Sequence, residues 1–378
     1  MILSGVKLNN FRNHAATEIG FGPGINALLG ENGQGKTNVL EAVSYLSLTK
    51  SFYAAGDADA LQIGKDAFAV EGGLIGGGGE VAHTVHVSYT RDPPAKSFLI
   101  DGTAPDRLSS VIGRFPLVIL SPENNAITFG GPAERRKFMD LTLSQVSRVY
   151  LDDLLEYRRV LRQRNRILTD ARLRGAPVAG ILEPWTENLA RYGGRIAYRR
   201  RLFVEEFRSF IRSAYRDLVP ATEEPEMQYR CGFNPGGAAD PDGLTSALRS
   251  AMDEKRGEEL RRGVSLAGPH RDELALTING IGVQQFASQG QHKTLLVALK
   301  VAEFFYVRER REEIPLFLLD DVFSELDAGR AARILSLAAG IGQTMITTTS
   351  DAVFGSSIVW GDHHRRFIVE RGTCRPAA

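Results

Sequence analysis

The sequence predicts an α/β fold that is interrupted by a mainly helical segment, and three observations support this prediction. Residues 30–37 read GENGQGKT and lie between an apolar stretch and a helical pattern. A second apolar stretch, LFLL at residues 316–319, ends in Asp320 and Asp321 near the other end of the chain. Between them, residues 133–218 read as long helices with apolar residues at spacings of three and four. This order predicts an insertion that reunites its two flanks in space.

The composition is that of an ordinary globular protein with more than one domain. The chain has 378 residues, 43% of them hydrophobic and 24% charged, and a formal net charge of +1. A nucleic-acid site must therefore come from local clustering of basic residues. The two cysteines, Cys231 and Cys374, fit no metal spacing and indicate a reducing compartment. No signal peptide or membrane span is predicted, so we expect a cytoplasmic protein.

The glycine-rich stretch fits the pattern GxxxxGK[ST] of a loop that cradles phosphate. Residues 24–29 predict the buried strand before it, and residues 37–48 predict the helix after it. Glycines bring backbone N–H groups close to phosphate oxygens, and the helix N-terminus adds partial positive charge. Lys36 is expected to reach the β- and γ-phosphates, and Thr37 to bind Mg²⁺. The residues predicted to bind the nucleotide here are Gly30, Glu31, Asn32, Gly33, Gln34, Gly35, Lys36, Thr37 and Asn38.

The two acids after the 316–319 strand supply the other half of a nucleotide site. Asp320 is predicted to hold Mg²⁺ together with Thr37. Asp321 is predicted to orient or deprotonate the attacking water. Acids at a strand end are often only solvated, but a phosphate loop in the same chain favours catalysis. The predicted catalytic residues are therefore Lys36, Asp320 and Asp321.

A second anion site is predicted where SQGQ, at residues 288–291, precedes a helical stripe. Ser288 is placed to cap that helix, and Gly290 permits close approach. One nucleotide rarely needs two such sites in one chain, so the second would serve the γ-phosphate of a partner copy. The alternative is an ordinary helix cap. The stretch SELD at residues 324–327 favours the functional interpretation.

The chain is predicted to divide into three segments. Residues 1–125 form the first part of an ATPase head with the phosphate loop, and residues 126–262 form an inserted helical arm. Residues 263–378 complete the head with the SQGQ motif, the paired acids and the SELD motif. Strands are expected at 274–278 and 344–348, and a helix at 244–262.

The order of these motifs resembles ABC-type ATPases. Over nearly the whole chain it resembles the RecF family of bacterial recombination-mediator ATPases, which is related to SMC proteins. The motifs that carry the resemblance are LNNFRN (8–13), the phosphate loop, SPE (121–123), GP (131–132) with Arg135 and Arg136, QRN (163–165), GPHRD (268–272), SQGQ (288–291) and the 320–327 stretch.

The resemblance implies an ABC/SMC-type P-loop ATPase head with an inserted helical domain, and ATP and Mg²⁺ as cofactors. Arg12 and Asn13 would contact ATP, and residues 121–123 would correspond to a γ-phosphate-sensing loop. Thr347 or Thr348 lies near the switch position of related ATPases. The residues implied to act across a dimer are Ser288, Gly290 and Gln291 in the signature motif, and Ser324 and Asp327 in the D-loop. Because Asp321 replaces the Glu of transporter ATPases, we expect slow hydrolysis.

DNA binding is the least direct prediction. Two predicted helices are crowded with arginines, one around residues 158–166 and one around 191–201. These arginines would bind DNA phosphates or form ion pairs within their helices. The resemblance favours DNA contacts, assigned to Arg199, Arg200 and Arg201, at single-stranded gaps or single-strand/double-strand junctions.

The resemblance also implies biological partners. It implies an ATP-dependent homodimer that works with RecR and RecO to load RecA, with roles in recombinational repair, replication restart and the SOS response. Three alternatives stay open at this point: an ABC transporter subunit, a P-loop kinase, and a structural SMC-like protein. The helical insertion argues against a transporter subunit. The SQGQ and SELD motifs have no role in a kinase, and a structural SMC-like protein would need long heptad arms.

Overall fold

The computed structural model describes residues 1–53, 56–76, 82–175, 178, 180–219, 223–325, 327–355 and 358–377. These residues fall into two compact units. The first contains Met1–Asn125, Ser213–Ala221 and Lys293–Ala378, and the second contains Ala126–Arg212 and Thr222–His292.

The strands and helices follow one another in mixed order. The strands are β1 (Ile2–Phe11), β2 (His14–Gly20), β3 (Ile25–Leu29), β4 (Ala67–Ile75), β5 (Ala82–Thr90), β6 (Ala95–Ile100), β7 (Leu117–Leu120), β8 (Pro225–Arg230), β9 (Glu273–Ile278), β10 (Ile281–Gly282), β11 (Leu316–Asp320), β12 (Thr344–Thr348), β13 (Arg365–Glu370) and β14 (Thr373–Pro376). The helices are α1 (Lys36–Leu48), α2 (Ala126–Phe129), α3 (Pro132–Val146), α4 (Arg148–Arg174), α5 (Glu183–Leu218), α6 (Pro241–Arg262), α7 (Val283–Phe286), α8 (Gln289–Arg311) and α9 (Ala328–Ile341).

The first unit is built on two sheets. One has the order β14-β13-β3-β12-β11-β7, and its strands from β13 to β7 are parallel. Every residue of β3, β11 and β12 is buried, which is typical of parallel strands covered on both faces. The other sheet, β2-β1-β4-β5-β6, is antiparallel, and β4 alternates buried with more exposed residues. The predicted α/β fold is confirmed.

The register of the parallel sheet positions the site. Asp320 at the end of β11 pairs with Thr347 of β12, and Thr348 pairs with Leu29 at the end of β3. The carboxyl ends of these strands therefore lie side by side, as expected for ligand sites of open α/β sheets. The phosphate loop follows β3 directly, so it lies at the same edge as the paired acids.

The second unit is mainly helical, with the small sheet β10-β9-β8. Its core contains a buried ion pair between Arg164 of α4 and Glu259 of α6, at 2.6 Å. Arg164 also donates to the hydroxyls of Thr186 and Ser265, which ties α4, α5 and the segment after α6 together. Apolar residues along one face of α4 are buried, as the predicted spacing indicates. The helix predicted through this region is interrupted at Ser147, whose hydroxyl caps α4 by accepting from the backbone N–H of Tyr150.

One strand of this unit is absent from the sequence prediction. Strand β8 forms before α6 because it pairs with β9 from Pro225 to Arg230. The unit begins at Ala126 and extends to His292. The segment boundaries at 125–126 and 262–263 stay predictions. Among the helices that the structure describes, none combines the length and apolarity needed to cross a bilayer.

Candidate nucleotide site

The phosphate loop forms the predicted strand–loop–helix unit between β3 and α1. Gly33 and Gly35 have φ angles of 78° and 111°, which favour glycine. A Cβ on Gly30 would lie 2.3 Å from the carbonyl oxygen of Val369, so that position admits no side chain. The lysine that ends the loop, Lys36, donates from Nζ to the carbonyls of Gly30 and Glu31 at 2.7 and 2.8 Å. The ammonium group is thus held within the curve of the loop.

Burial and two nearby carboxylates act in opposite directions on the pKa of Lys36. Burial lowers the pKa of Lys36, while the nearby carboxylates of Asp321 and Asp320 oppose that shift. The Lys36 ammonium is thus buried close to two carboxylates. A buried charge of this kind gains most from a ligand that brings negative charge.

The paired acids meet the phosphate loop through two hydroxyls. Thr37 donates to Oδ1 of Asp320 at 2.8 Å, and Thr347 donates to the same oxygen at 2.7 Å. Burial raises the pKa of Asp320, and its hydrogen bonds with Thr347 and Thr37 oppose that shift. The backbone N–H of Asp321 donates to Thr347 Oγ1 at 2.8 Å, and Asp321 has a φ of 49°. Thr347 thus fixes both acids.

Thr37, Asp321 and Thr347 border one cleft of about 150 Å³, and Asp320 lies directly behind Thr37 and Thr347. The lining residues are Asn32, Gly33, Gly35, Lys36, Thr37, Asn38, Asp321 and Thr347. The cleft combines backbone donors, one lysine and an acid, which suits a phosphate group and an attacking water.

The oxygen donors at this cleft fit Mg²⁺. The Thr37 hydroxyl and the Asp320 carboxylate lie 2.8 Å apart and are hard oxygen ligands. Within the described residues, no group of three or more His, Cys, Asp or Glu forms a metal cage. Mg²⁺ commonly takes one or two protein ligands and completes its coordination shell with phosphate and water. Thr37 and Asp320 together match this preference.

Arg12 and Asn13 contact α1 and the phosphate loop, respectively. Arg12 forms a two-pronged ion pair with Glu41 at 2.8 Å and donates to the Asp59 carbonyl. Asn13 donates to the Gln34 carbonyl at 2.9 Å and accepts from the side chain of Asn38 at 2.8 Å. Neither residue lines the cleft, and their predicted contact with ATP stays a prediction.

Sequence reasoning missed His14, which supports the loop from behind. The buried His14 ring lies 3.0 Å from the carbonyl oxygen of Gly35 and 3.0 Å from the Thr17 hydroxyl. Burial lowers the pKa of His14. A single buried histidine carries no sequence signal of its own, because the Gly35 carbonyl becomes its neighbour only in the fold.

The residues predicted to form the signature motif and the D-loop lie at or near the starts of α8 and α9. The Ser288 hydroxyl accepts from the backbone N–H of Gln291 at 3.2 Å, and the side-chain oxygen of Gln291 accepts from the backbone N–H of Ser288 at 2.9 Å. This reciprocal capping box confirms the predicted cap of α8. Ser324 donates to the Asp321 carbonyl at 2.9 Å, and Asp327 caps α9. Position 326 of the D-loop stretch lies outside the described residues.

The predicted DNA contact at Arg200 is wrong. Its guanidinium is only 2% exposed and donates to Asp140 and Asp272 at 2.7 Å each. Arg199 reaches the Ser147 hydroxyl at 3.3 Å, and Arg201 donates to backbone carbonyls before α6. Three consecutive residues of a helix point to different faces, so one arginine of the triplet must face the core.

Comparison with known proteins agrees with this geometry. A family profile described as an AAA domain matches residues 6–166. The chain is 42% identical to the DNA replication and repair protein RecF of Salinibacter ruber over 357 residues, covering 94% of this chain and 86% of that protein. It is 34% identical to RecF of Listeria welshimeri, covering 99% and 100%. The chain belongs to the RecF family.

Solved structures of RecF proteins share this fold. A structure of the recombination mediator protein RecF-ATP in the RecFOR pathway has a TM-score of 0.90 and 30% identity, covering 100% of this chain and 97% of that one. The corresponding RecF-ATPrS structure gives 0.91 and 29%. An Smc head bound to a domain of ScpA has a TM-score of 0.57 at 13% identity, which shows the fold alone. The chain is therefore a RecF-family protein, and its fold is shared with the RecF structures and with the Smc head. Nothing in these comparisons supports a transporter subunit.

Proposed function

We propose that this RecF-family chain is a slow, DNA-stimulated ATPase in which ATP acts as a switch for dimerisation on DNA. One observation carries the proposal: Thr37 of the phosphate loop donates to Asp320 at 2.8 Å across 283 positions of sequence. That bond connects the phosphate loop with the acid at the end of β11, which supports an ATP site and is not expected of a chance glycine turn.

Each residue of the cleft has a chemical role in this proposal. Lys36 balances charge on the β- and γ-phosphates, and Asp320 with Thr37 would hold Mg²⁺, which neutralises phosphate charge when bound. Asp321 accepts the proton of the attacking water. Its backbone is held by Thr347 at 2.8 Å, so its short side chain has little freedom to reach the water. We therefore expect turnover below the ~10 s⁻¹ that is usual for enzymes.

The signature motif is proposed to act on ATP bound by a partner copy. The capped start of α8 offers backbone N–H groups and partial positive charge to a γ-phosphate. A ligand that binds the dimer better than the monomer must stabilise the dimer by that difference in affinity. Hydrolysis removes the bridging phosphate and releases the dimer.

Sedimentation with and without ATP tests this step. Wild-type chain is expected to double in mass on adding ATP, and the change Ser288→Ala should weaken the dimer about tenfold or more. Ser147→Ala is the matched control, because Ser147 caps α4 through an equivalent bond at 3.2 Å. An unchanged mass with ATP, or equal effects of the two serine changes, rejects the proposal.

DNA binding is proposed at exposed arginines of α4. Arg159 forms an ion pair with Glu156 of the same helix at 2.8 Å, so this arginine follows the ion-pair alternative rather than DNA binding. Arg162 and Arg166 are exposed and form no ion pair with any residue that the structure describes. Such arginines give salt-dependent, sequence-tolerant contacts with phosphates.

Family membership supports the remaining proposals. We assign this chain to gaps or single-strand/double-strand junctions, where it works with RecR and RecO to load RecA in recombinational repair, replication restart and SOS induction. Stimulation of ATP turnover by gapped DNA, compared with intact duplex, is the direct assay. Equal turnover with and without DNA contradicts the DNA-linked switch.

A further inference from the structure

Two motifs with no role in the ATP site converge on one groove of the second unit. The stretch after Gly131 contributes Arg136 and Lys137 from α3, and the GPHRD stretch contributes His270. The groove has a volume of about 190 Å³, many times what one water molecule needs. These motifs therefore build a cavity rather than only a packed core.

Facing sides of two helices form the walls of the groove. Ala133, Arg136 and Lys137 follow one face of α3, at spacings of three and four. Arg158 and Leu161 follow one face of α4 in the same way. The walls thus present cations from both sides and apolar surface from α4.

The charges in the groove are not balanced. Arg200 is neutralised by Asp140 and Asp272, and Arg158 shares Asp140 at 2.9 Å. Arg136 donates to the backbone carbonyl of Asp272 at 2.7 Å and forms no ion pair with a described residue.

Two further observations show which cations remain available. Burial and the neighbouring Arg200 lower the pKa of Arg136. Lys137 is exposed at the rim and forms no ion pair within the described part of the chain. A partly buried guanidinium without a carboxylate partner gains from an incoming anion.

We infer that this groove binds a phosphate group carried by a nucleotide unit, either within a nucleic-acid strand or free. The inference deepens the proposed DNA binding, and for a strand it rests on it. It places a specific strand contact on the α3–α4 groove instead of the Arg199–Arg201 triplet.

The chemistry of the walls favours phosphate over carboxylate. Arg136 and Lys137 line the groove from α3, and Arg158, which also pairs with Asp140, lines it from α4. Cations on two sides match the tetrahedral oxygens of a phosphate better than two coplanar ones. The side chains of Leu154 and Leu161 offer apolar surface for a sugar or base. A nucleotide carries both features.

His270 is a neutral part of the floor. Its Nε2 lies 3.1 Å from the Ser265 carbonyl, so that nitrogen donates, and its Nδ1 accepts from the Tyr157 hydroxyl at 2.6 Å. Burial lowers the pKa of His270 to about 4. The cations that would hold the phosphate are therefore arginine and lysine, and binding is expected to stay constant around neutral pH.

The test uses the full chain saturated with ADP, so that the phosphate loop is occupied. The probes are a fluorescent oligothymidylate of about 10 nucleotides and free dTMP. Lys137→Gln removes a rim charge, and Ala133→Trp fills the groove without changing charge. Their matched controls are Arg261→Gln and Ala339→Trp, at exposed helical positions. Binding is followed by anisotropy for the oligomer and calorimetry for dTMP.

Both groove variants are expected to weaken oligomer binding about tenfold, with the controls close to wild type. Lys137→Gln should also reduce the salt slope by about 0.7. If wild type binds dTMP and the groove variants lose that binding, a free nucleotide is enough to occupy the groove. If wild type binds the oligomer but not dTMP, and the groove variants lose oligomer binding, the ligand is a nucleic-acid strand. If wild type binds the oligomer and the groove variants match their controls, the groove inference is overturned while DNA binding stands. If wild type binds neither probe, both fail.

Discussion

The hydroxyl of Thr347 donates to Oδ1 of Asp320 at 2.7 Å, at paired positions of two neighbouring parallel strands. The same threonine oxygen accepts from the amide of Asp321 at 2.8 Å. One side chain therefore holds the carboxylate of Asp320 and the backbone of Asp321 in the candidate nucleotide site. Thr347 is placed by the fold as a positioning residue for the predicted Mg²⁺ ligand and the predicted base.

Replacing Thr347 with valine is expected to slow ATP turnover about tenfold to a hundredfold, because a charged acceptor loses a buried hydrogen bond. The Mg²⁺ concentration needed for half-maximal turnover should also rise. Steady-state ATPase assays with a Mg²⁺ titration measure both effects. Thr348→Val is the matched control, since the Thr348 hydroxyl bonds to the Ser350 carbonyl instead. Equal effects of the two changes would exclude a special role for Thr347.

Replacing Gly35 with alanine should abolish tight ATP binding. A Cβ there would lie 2.5 Å from Oδ1 of Asn13 and 2.9 Å from the His14 ring, so the loop or its support must move. Gly33→Ala is the control, because its φ is also positive but a Cβ meets nothing within 4 Å. We expect at least about tenfold weaker binding for Gly35→Ala than for Gly33→Ala, measured with a fluorescent ATP analogue. Indistinguishable affinities would contradict the packing described behind the loop.

Replacing Arg200 with methionine should lower the free energy of unfolding by about 3–5 kcal/mol. The change leaves Asp140 and Asp272 without their shared cation in the core. Arg199→Gln, on the same helix, should cost about 1 kcal/mol or less. Urea unfolding measures both. A small loss for Arg200→Met, together with a selective loss of DNA binding, would restore the original assignment of Arg200 to DNA.

Stability should fall as the pH drops from about 6.5 towards 4 because of His270. Its pKa is about 4 in the folded chain and 6.5 in the unfolded chain, so the unfolded chain binds more protons in this window. The contribution of His270 is fully present above pH 6.5 and is lost as the pH falls towards 4, by on the order of 3 kcal/mol. The difference in unfolding free energy between wild type and His270→Gln, measured across this range, isolates the effect. A difference that does not change with pH would show that His270 does not titrate as described.

Local patterns predicted the elements of the site because each depends on adjacent residues. The phosphate loop, the buried strand before Asp320 and the cap at Ser288 are all encoded within a few positions. Thr347 lies 27 positions from Asp320, and the two meet only because β11 and β12 pair in parallel. Its function as a partner of both acids could not be read from spacing.

The triplet Arg199–Arg201 shows what local composition fails to predict. Charge alone suggested that Arg200 is exposed, yet its carboxylate partners lie 60 and 72 positions away. Strand β8 was missed for the same reason, because its partner β9 lies beyond α6. Long-range pairing overrides local composition in both cases.

Mixing two inactive variants tests the shared ATP site most directly. Lys36→Ala disables the phosphate loop, and Ser288→Arg blocks the signature cap, so each variant alone should hydrolyse ATP very slowly. In a mixed dimer, one of the two sites combines a wild-type loop with a wild-type cap. The account predicts that mixing restores a clear fraction of wild-type turnover. If the mixture is no more active than the variants apart, while both still fold and dimerise with wild-type chain, ATP is not shared between copies.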